Sequence, residues 1–174
     1  MSHPSAILRL GALLAAALLT TSCAGYRLGP AKPAALAHVN VIAVPNVKNE
    51  TLQPRIDTLV TNAIISRLSE DGTYRVALEG DADAVLEAKI VRIERRQLRS
   101  ARFNQLRSRE LGLRVIVEYR LVDLDTGRIL RAGSERGETS VFIDANYQNA
   151  ERQAIPEAAN RVASRIVTNI SEGW

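Results

Sequence analysis

One segment near the middle of the chain has an apolar side chain at every second position and mostly polar residues between them. Successive side chains of a strand point to opposite faces of a sheet, so this alternation predicts a long strand with one buried face. Arg114, Glu118 and Arg120 occupy the other face. Such a strand must bury its apolar face against a second layer. The apolar members are Leu111, Leu113, Val115, Val117, Tyr119 and Leu121.

Shorter apolar or alternating runs predict further strands, and the turn Asp125–Gly127 leads into one of them. The run around Lys89 is apolar on both sides, which predicts a bulge there. The tyrosine-containing run, at 74–78, is short and is expected at a sheet edge. The predicted strands lie at residues 39–44, 74–78, 84–93 and 129–133.

Two segments carry apolar side chains at helical spacing. The first runs from Ile56 to Leu68, with Pro54 expected in its first turn, Leu59 on its apolar stripe and Gly72 at its end. The second runs from Ile155 to Ile170, and Pro156 is expected in its first turn or at a kink.

Together these elements predict an α+β fold, a two-layer sandwich. A mostly antiparallel sheet of about four strands has two helices packed on one face. Residues 38–174 are expected to form a single domain. The other face of the sheet is left to water or a partner.

The N-terminus has the order of an export signal. Arg9 precedes the apolar run Leu10–Leu19, and small residues follow it. The run is shorter than the roughly 20 residues that cross a bilayer. A signal peptide is therefore expected over residues 1–22.

Cys23 follows the small residues and is the only cysteine, so no intramolecular disulfide is possible. The segment resembles the lipobox of bacterial lipoproteins, with Thr20 where leucine is usual. The resemblance implies an acylated Cys23, and Ala24 after it favours the outer membrane. The proline and glycine content of residues 23–37 then predicts a lipidated tether. An ordinary signal peptide with an incidental cysteine is the alternative.

Arginine dominates the positive charge: the chain has a net charge of +4 and 23 basic residues, of which only Lys32, Lys48 and Lys89 are lysines. Guanidinium groups suit paired contacts with phosphate or carboxylate. The densest cluster surrounds residues 97–109, the predicted end of a β-hairpin with Phe103 near its tip. Its arginines are Arg92, Arg95, Arg96, Arg99, Arg102, Arg107, Arg109 and Arg114.

No constellation of catalytic residues is found. His38 is the single histidine after the signal, and known nucleophile, zinc and phosphate-loop motifs are missing from the sequence. An enzyme, a metal site and a cofactor are therefore not expected. Export and the 4% aromatic content disfavour nucleic acid as a partner.

Several ordered pieces of the chain resemble the LptE family of lipopolysaccharide-assembly lipoproteins. They are Cys23–Leu28, Ile42–Pro45 followed by Asn49–Thr51, the first helix, and Ala82–Ile90. The resemblance implies an outer-membrane lipoprotein on the periplasmic face that plugs the LptD β-barrel and contacts lipopolysaccharide.

Within the hairpin, the resemblance implies basic ligand-binding residues beside apolar ones that face lipid acyl chains. Arg102 is the leading candidate. Two alternatives stay open for these arginines: a solvated charged hairpin, or contact with acidic residues of a barrel. The candidate lipopolysaccharide-binding residues are Arg96, Arg99, Arg102, Phe103, Arg107 and Arg109.

A different function also fits the sequence, a structural lipoprotein subunit of another envelope secretion channel. Curli-secretion lipoproteins share a similar strand, Asn-x-Thr turn and Ala-Asp segment. The two functions differ in their partners, because the first predicts a barrel held one-to-one and the second a homo-oligomeric ring.

Overall fold

The predicted central strand lies inside a six-stranded sheet in the computed structural model, which describes residues 32–99, 109–143 and 147–172. Two helices accompany the sheet in these residues. The strands are β1 (Val41–Ala43), β2 (Lys48–Asn49), β3 (Arg75–Ala77), β4 (Ala84–Arg99), β5 (Arg109–Asp123) and β6 (Ile129–Ile143), and the helices are α1 (Ile56–Asp71) and α2 (Tyr147–Glu172).

The sheet is mixed, with the order β3-β1-β4-β5-β6 and β2 beside β4. The long strands β4, β5 and β6 form an antiparallel meander, whereas β1–β3, β1–β4 and β2–β4 pair in parallel. The α+β class is therefore confirmed, but the count of about four strands is wrong. Strand β2 has two residues with exposed side chains, so no alternation in the sequence marks it.

The meander follows the predicted pattern where apolar residues alternate. The register of β4 against β5 shifts between Ile90 and Arg92, which confirms the bulge expected near Lys89. Strand β6 continues well beyond the predicted end at Gly133. Its second half carries mostly polar side chains and glycine, so the sequence there lacks the alternating apolar pattern that predicts a strand.

Helix α1 ends as predicted. Gly72 adopts a left-handed φ of 73° and donates its backbone N–H to the Leu68 carbonyl at 3.1 Å. The start differs, because Arg55 at the N-cap has a φ of 62°, which places Pro54 before the helix and outside its first turn. Leu59 is 38% exposed and so lies off the buried stripe.

Helix α2 begins at Tyr147, earlier than the apolar stripe indicates, and Pro156 lies inside it. The first turns bury only the small side chains Ala150 and Ala154, which carry a weak hydrophobic signal. Neither helix in the described part of the chain is both long and apolar enough to cross a membrane.

Both helices contribute to one hydrophobic core with the apolar face of the sheet. From the sheet, this core includes Leu86, Ile90, Val117 and Leu121. Helix α2 packs on β5 and β6, and α1 packs against α2. The helix-free face of the sheet, with Arg114, Glu118 and Arg120, is the polar face that the alternation predicts.

Gly137 allows α2 to lie directly on β6. An added Cβ at this position would stand 1.9 Å from the carbonyl oxygen of Ala158 and 2.6 Å from the amide nitrogen of Val162. Both atoms belong to the backbone of α2, so only a shift of the helix could make room. This close approach fixes the distance between the two layers.

We expect Gly137→Ala to destabilise the fold by about 2 kcal/mol or more, in the upper range of overpacking substitutions. Urea unfolding followed by circular dichroism measures the loss. Gly80→Ala is the matched control, because no atom lies within 4 Å of its added Cβ. Equal unfolding midpoints for the two variants would contradict the packing argument.

Candidate functional site

The arms of the predicted hairpin at residues 97–109 are the ends of β4 and β5. In the strand register, Arg99 lies opposite Glu110, and this is the last described position of β4. The candidate residues Arg102, Phe103 and Arg107 lie outside the described residues. For Arg99 and Arg109 the structure describes the strand backbone and not the side chains.

Arg96 is the one candidate whose side chain the structure describes. It is exposed and lies opposite Gly112 on the helix-free face of the sheet. No carboxylate of the described residues forms an ion pair with Arg96.

The neighbouring arginines on this face are neutralised within the sheet. Arg114 reaches Glu94 at 3.1 Å and Glu138 at 3.0 Å. Arg92 pairs with Glu94 at 3.6 Å, and Arg136 pairs with Glu138 at 3.1 Å. The two Arg114 pairs join neighbouring strands, and pairs of that kind stabilise a sheet modestly. The other two pairs lie within β4 and within β6. All of them leave these guanidinium groups less free for an outside anion.

Arg95 points to the opposite face, towards the helices. Its Nε donates to Glu151 of α2 at 2.7 Å, and its Nη2 donates to the side-chain oxygen of Gln53 at 2.9 Å. Arg95 therefore joins the strand to α2 and to the loop before α1. This role separates it from Arg96, its neighbour in the sequence.

Sequence reasoning missed the acidic partners of these arginines. Glu138 lies in the part of β6 that the hydrophobic pattern does not show, and Glu151 lies before the predicted start of α2. These glutamates lie far from the arginines in the sequence, so no local sequence pattern indicates the ion pairs. Knowing the full length of β6 would have placed Glu138 opposite Arg114.

A groove of about 780 Å³ occupies the other half of the helix-free face. Lys89 bonds Glu118 at 3.0 Å across its floor, and Glu87 pairs with Arg120. The hydrogen bond and charge of Glu118 raise the pKa of Lys89. The floor of the groove is therefore charge-balanced, in contrast with the arginine-rich hairpin. Its rim includes Pro45, Asn46, Lys48, Ile129 and Ser134.

The start of the body is fixed at the end of the sheet where β4 begins and β5 ends. Leu36, in a region assigned to the tether from sequence, is buried in the core. His38 Nε2 lies 2.8 Å from the Asp123 carboxylate, while the backbone N–H groups of Asn40 and Val41 donate to Asp83. The hydrogen bonds from Asn40 and Val41 lower the pKa of Asp83, and the bond from Asn40 contributes most.

Asp123 also closes the turn between β5 and β6. The hydroxyl and the backbone N–H of Thr126 both donate to it at 2.8 Å. These bonds, and then the one with His38, lower the pKa of Asp123 to about 2. Within the described residues, no group of three potential metal ligands includes His38 or Asp123.

Comparison with solved structures shows that this fold recurs in proteins of very different sequence. A Xanthomonas campestris protein of the DUF330 family has a TM-score of 0.58 at 10% identity, over 83% of this chain and 87% of its own. A hypothetical protein of Chlamydia trachomatis has a TM-score of 0.54 at 11% identity, over 76% and 95%. No curated protein matches the sequence.

Fold and charge pattern together define a small α+β domain with one polar sheet face and an arginine-bearing hairpin. A family model described as "LptE: Lipopolysaccharide-assembly" matches residues 39–170, most of the chain. The chain belongs to the LptE family, as the sequence pieces indicate.

Acid should destabilise the body partly through Asp123. Its folded-state pKa lies below the unfolded value of about 3.9, so its contribution is present above that value and is lost as the pH falls towards 2. We expect Asp123→Asn to lose less stability than wild type between pH 4 and 2, measured by urea unfolding. Asp125→Asn, in the same turn, is the control. If the Asp123 variant lost as much unfolding free energy between pH 4 and 2 as wild type does, this role of Asp123 in acid sensitivity would be refuted.

Proposed function

We propose that this chain is an outer-membrane lipoprotein that assists the delivery of lipopolysaccharide. It sits on the periplasmic face, anchored through acyl chains on Cys23, and complexes with an LptD-type β-barrel as plug and assembly factor. The family match over residues 39–170 is the observation that carries the proposal. The domain division that goes with it is a signal peptide at 1–22, a tether at 23–37 and the body at 38–174, with Leu36 at the end of the tether packed into the core of the body.

The hairpin is proposed to bind the phosphates of the lipid. Residues 95–109 hold six arginines and no acidic residue. Arg95 is bound by Glu151, and the arginines nearer the core are neutralised by Glu94 and Glu138. The arginines that follow in the sequence, Arg99, Arg102, Arg107 and Arg109, are proposed to form charge-assisted bonds with phosphate.

The same segment supplies apolar groups for acyl chains. Leu98, Phe103 and Leu106 alternate with the arginines in the sequence. A lipid that carries both phosphates and acyl chains requires this combination of side chains. Contact of the arginines with acidic residues inside the barrel is compatible with this function, because different arginines can serve the two purposes.

We assign a binding function and no reaction to the chain. On the helix-free face Lys89 is engaged with Glu118, Arg114 with Glu94 and Arg120 with Glu87. His38 and Asp123 hold the start of the body to a turn. Each of these contacts has a structural use. The description of the family names lipopolysaccharide assembly, and assembly requires binding between components.

Replacing Arg99, Arg102 and Arg107 by glutamine should weaken lipopolysaccharide binding at least tenfold. Each charge-assisted bond contributes about 1.5 to 3 kcal/mol, and about 1.4 kcal/mol corresponds to tenfold in affinity. Binding of the purified body to immobilised lipopolysaccharide at low salt measures the effect.

The control for this experiment removes the same charge elsewhere. Arg75, Arg128 and Arg165 are exposed and lie outside the hairpin, so their replacement by glutamine should leave the affinity within about twofold. An equal loss in both triple variants would indicate a general charge effect. Unchanged binding in the hairpin variant would remove the hairpin from the proposal.

Partner and anchor can be tested together by purification from detergent-solubilised membranes. We expect the tagged wild-type chain to retain a co-expressed LptD-type barrel in a one-to-one complex. Cys23→Ser should leave the cell's membrane fraction when the barrel is not expressed, because acyl chains supply the remaining membrane affinity. A homo-oligomeric ring without a barrel would instead favour the secretion-channel function.

A further inference from the structure

Leu52 is the most exposed large apolar side chain among the described residues, with 103% relative exposure. It lies at the tip of the loop between β2 and α1. A leucine in this setting forgoes the free energy that burial would give. Single exposed leucines are common on protein surfaces, so the residues around Leu52 must show whether it belongs to a binding surface.

The loop that presents Leu52 is braced by side chains on both sides of it. Asn49 accepts hydrogen bonds from the backbone N–H and the hydroxyl of Thr51, at 2.9 and 2.7 Å. The Asn49 amide donates to the Gln53 carbonyl at 2.8 Å. The backbone at Leu52 is thus held between fixed neighbours, so the loop has little backbone entropy to lose when it binds.

Arg95 connects this loop to a second exposed apolar group. Its bonds to Gln53 and to Glu151 join the loop to α2. Tyr147 lies four residues before Glu151, hence on the same side of the helix, and is 43% exposed. Tyrosine and arginine are the residue types enriched where binding energy concentrates in protein interfaces.

The charge near this surface indicates what a partner must offer. Arg55 and Arg152 flank it in sequence, and neither forms an ion pair with a carboxylate of the described residues. Arg55 also holds a left-handed φ of 62°, an uncommon conformation for a residue with a side chain. An acidic rim on the partner would complement these two charges.

We propose that Leu52, Gln53, Arg95, Glu151 and Tyr147 form a docking surface for a protein partner. The partner offers an apolar pocket for Leu52 and carboxylates at its edge. The inference rests on the proposed function in one respect, which is that the partner is the LptD-type barrel. This surface lies apart from the groove on the helix-free face and uses none of the proposed phosphate-binding arginines.

The test compares two exposed leucines at different places on the body. Leu52→Asp and Leu78→Asp each put a charge on a solvent-facing position, and Leu78 is 81% exposed. We expect Leu52→Asp to reduce the amount of co-purified barrel at least tenfold, whereas Leu78→Asp retains the wild-type amount. Urea unfolding of each body checks that both variants fold.

A photocrosslinking amino acid at each position gives a second readout without an added charge. We expect a crosslink to the barrel from position 52 and none from position 78. If the wild type retains no barrel, the proposed function fails and so does the identity of this partner. If the wild type and both aspartate variants retain equal amounts, the docking surface alone is overturned.

One further outcome separates a protein pocket from a lipid surface. Leu52→Asp is compared with wild type for flotation on phospholipid vesicles, both in the Cys23→Ser background. Reduced flotation together with full retention of the barrel would overturn the proposal in favour of membrane insertion. Unchanged flotation with lost barrel retention supports it.

Discussion

The one-sided burial of β5 is the constraint on which the rest of the structure depends. Its apolar side chains need cover, which α2 supplies by packing on β5 and β6, while α1 packs against α2 in the same core. Gly137 sets how closely α2 can approach. Because both helices lie on one side, the polar face of the sheet stays open.

The open face then organises charge along the strands. Near the core, acidic and basic side chains meet across neighbouring strands and neutralise one another, as Glu94, Arg114 and Glu138 do. From residue 95 to residue 109 the sequence holds six arginines and no acidic residue, and Glu110 follows opposite Arg99 in the strand register. Such a concentration of arginine suits a protein that must fold stably and still attract an anionic lipid.

Sequence patterns predicted the elements that bury apolar side chains and missed those that do not. The strand at Leu111–Leu121, the end of α1 at Gly72 and the bulge beside Ile90 all follow from local spacing. The two-residue β2 and the polar half of β6 lack such spacing, and the pairing of Arg114 with Glu138 depends on a register set by the whole meander. The role of the hairpin side chains rests on the family match and their residue types.

The phosphate dependence of lipid binding tests the central claim most directly. Affinity of the purified body should be measured for lipid A with two phosphates, with one and with none, at the same low salt. The account predicts a stepwise fall, of about tenfold or more for each phosphate removed. Equal affinity for all three lipids would contradict recognition of phosphate by the arginines.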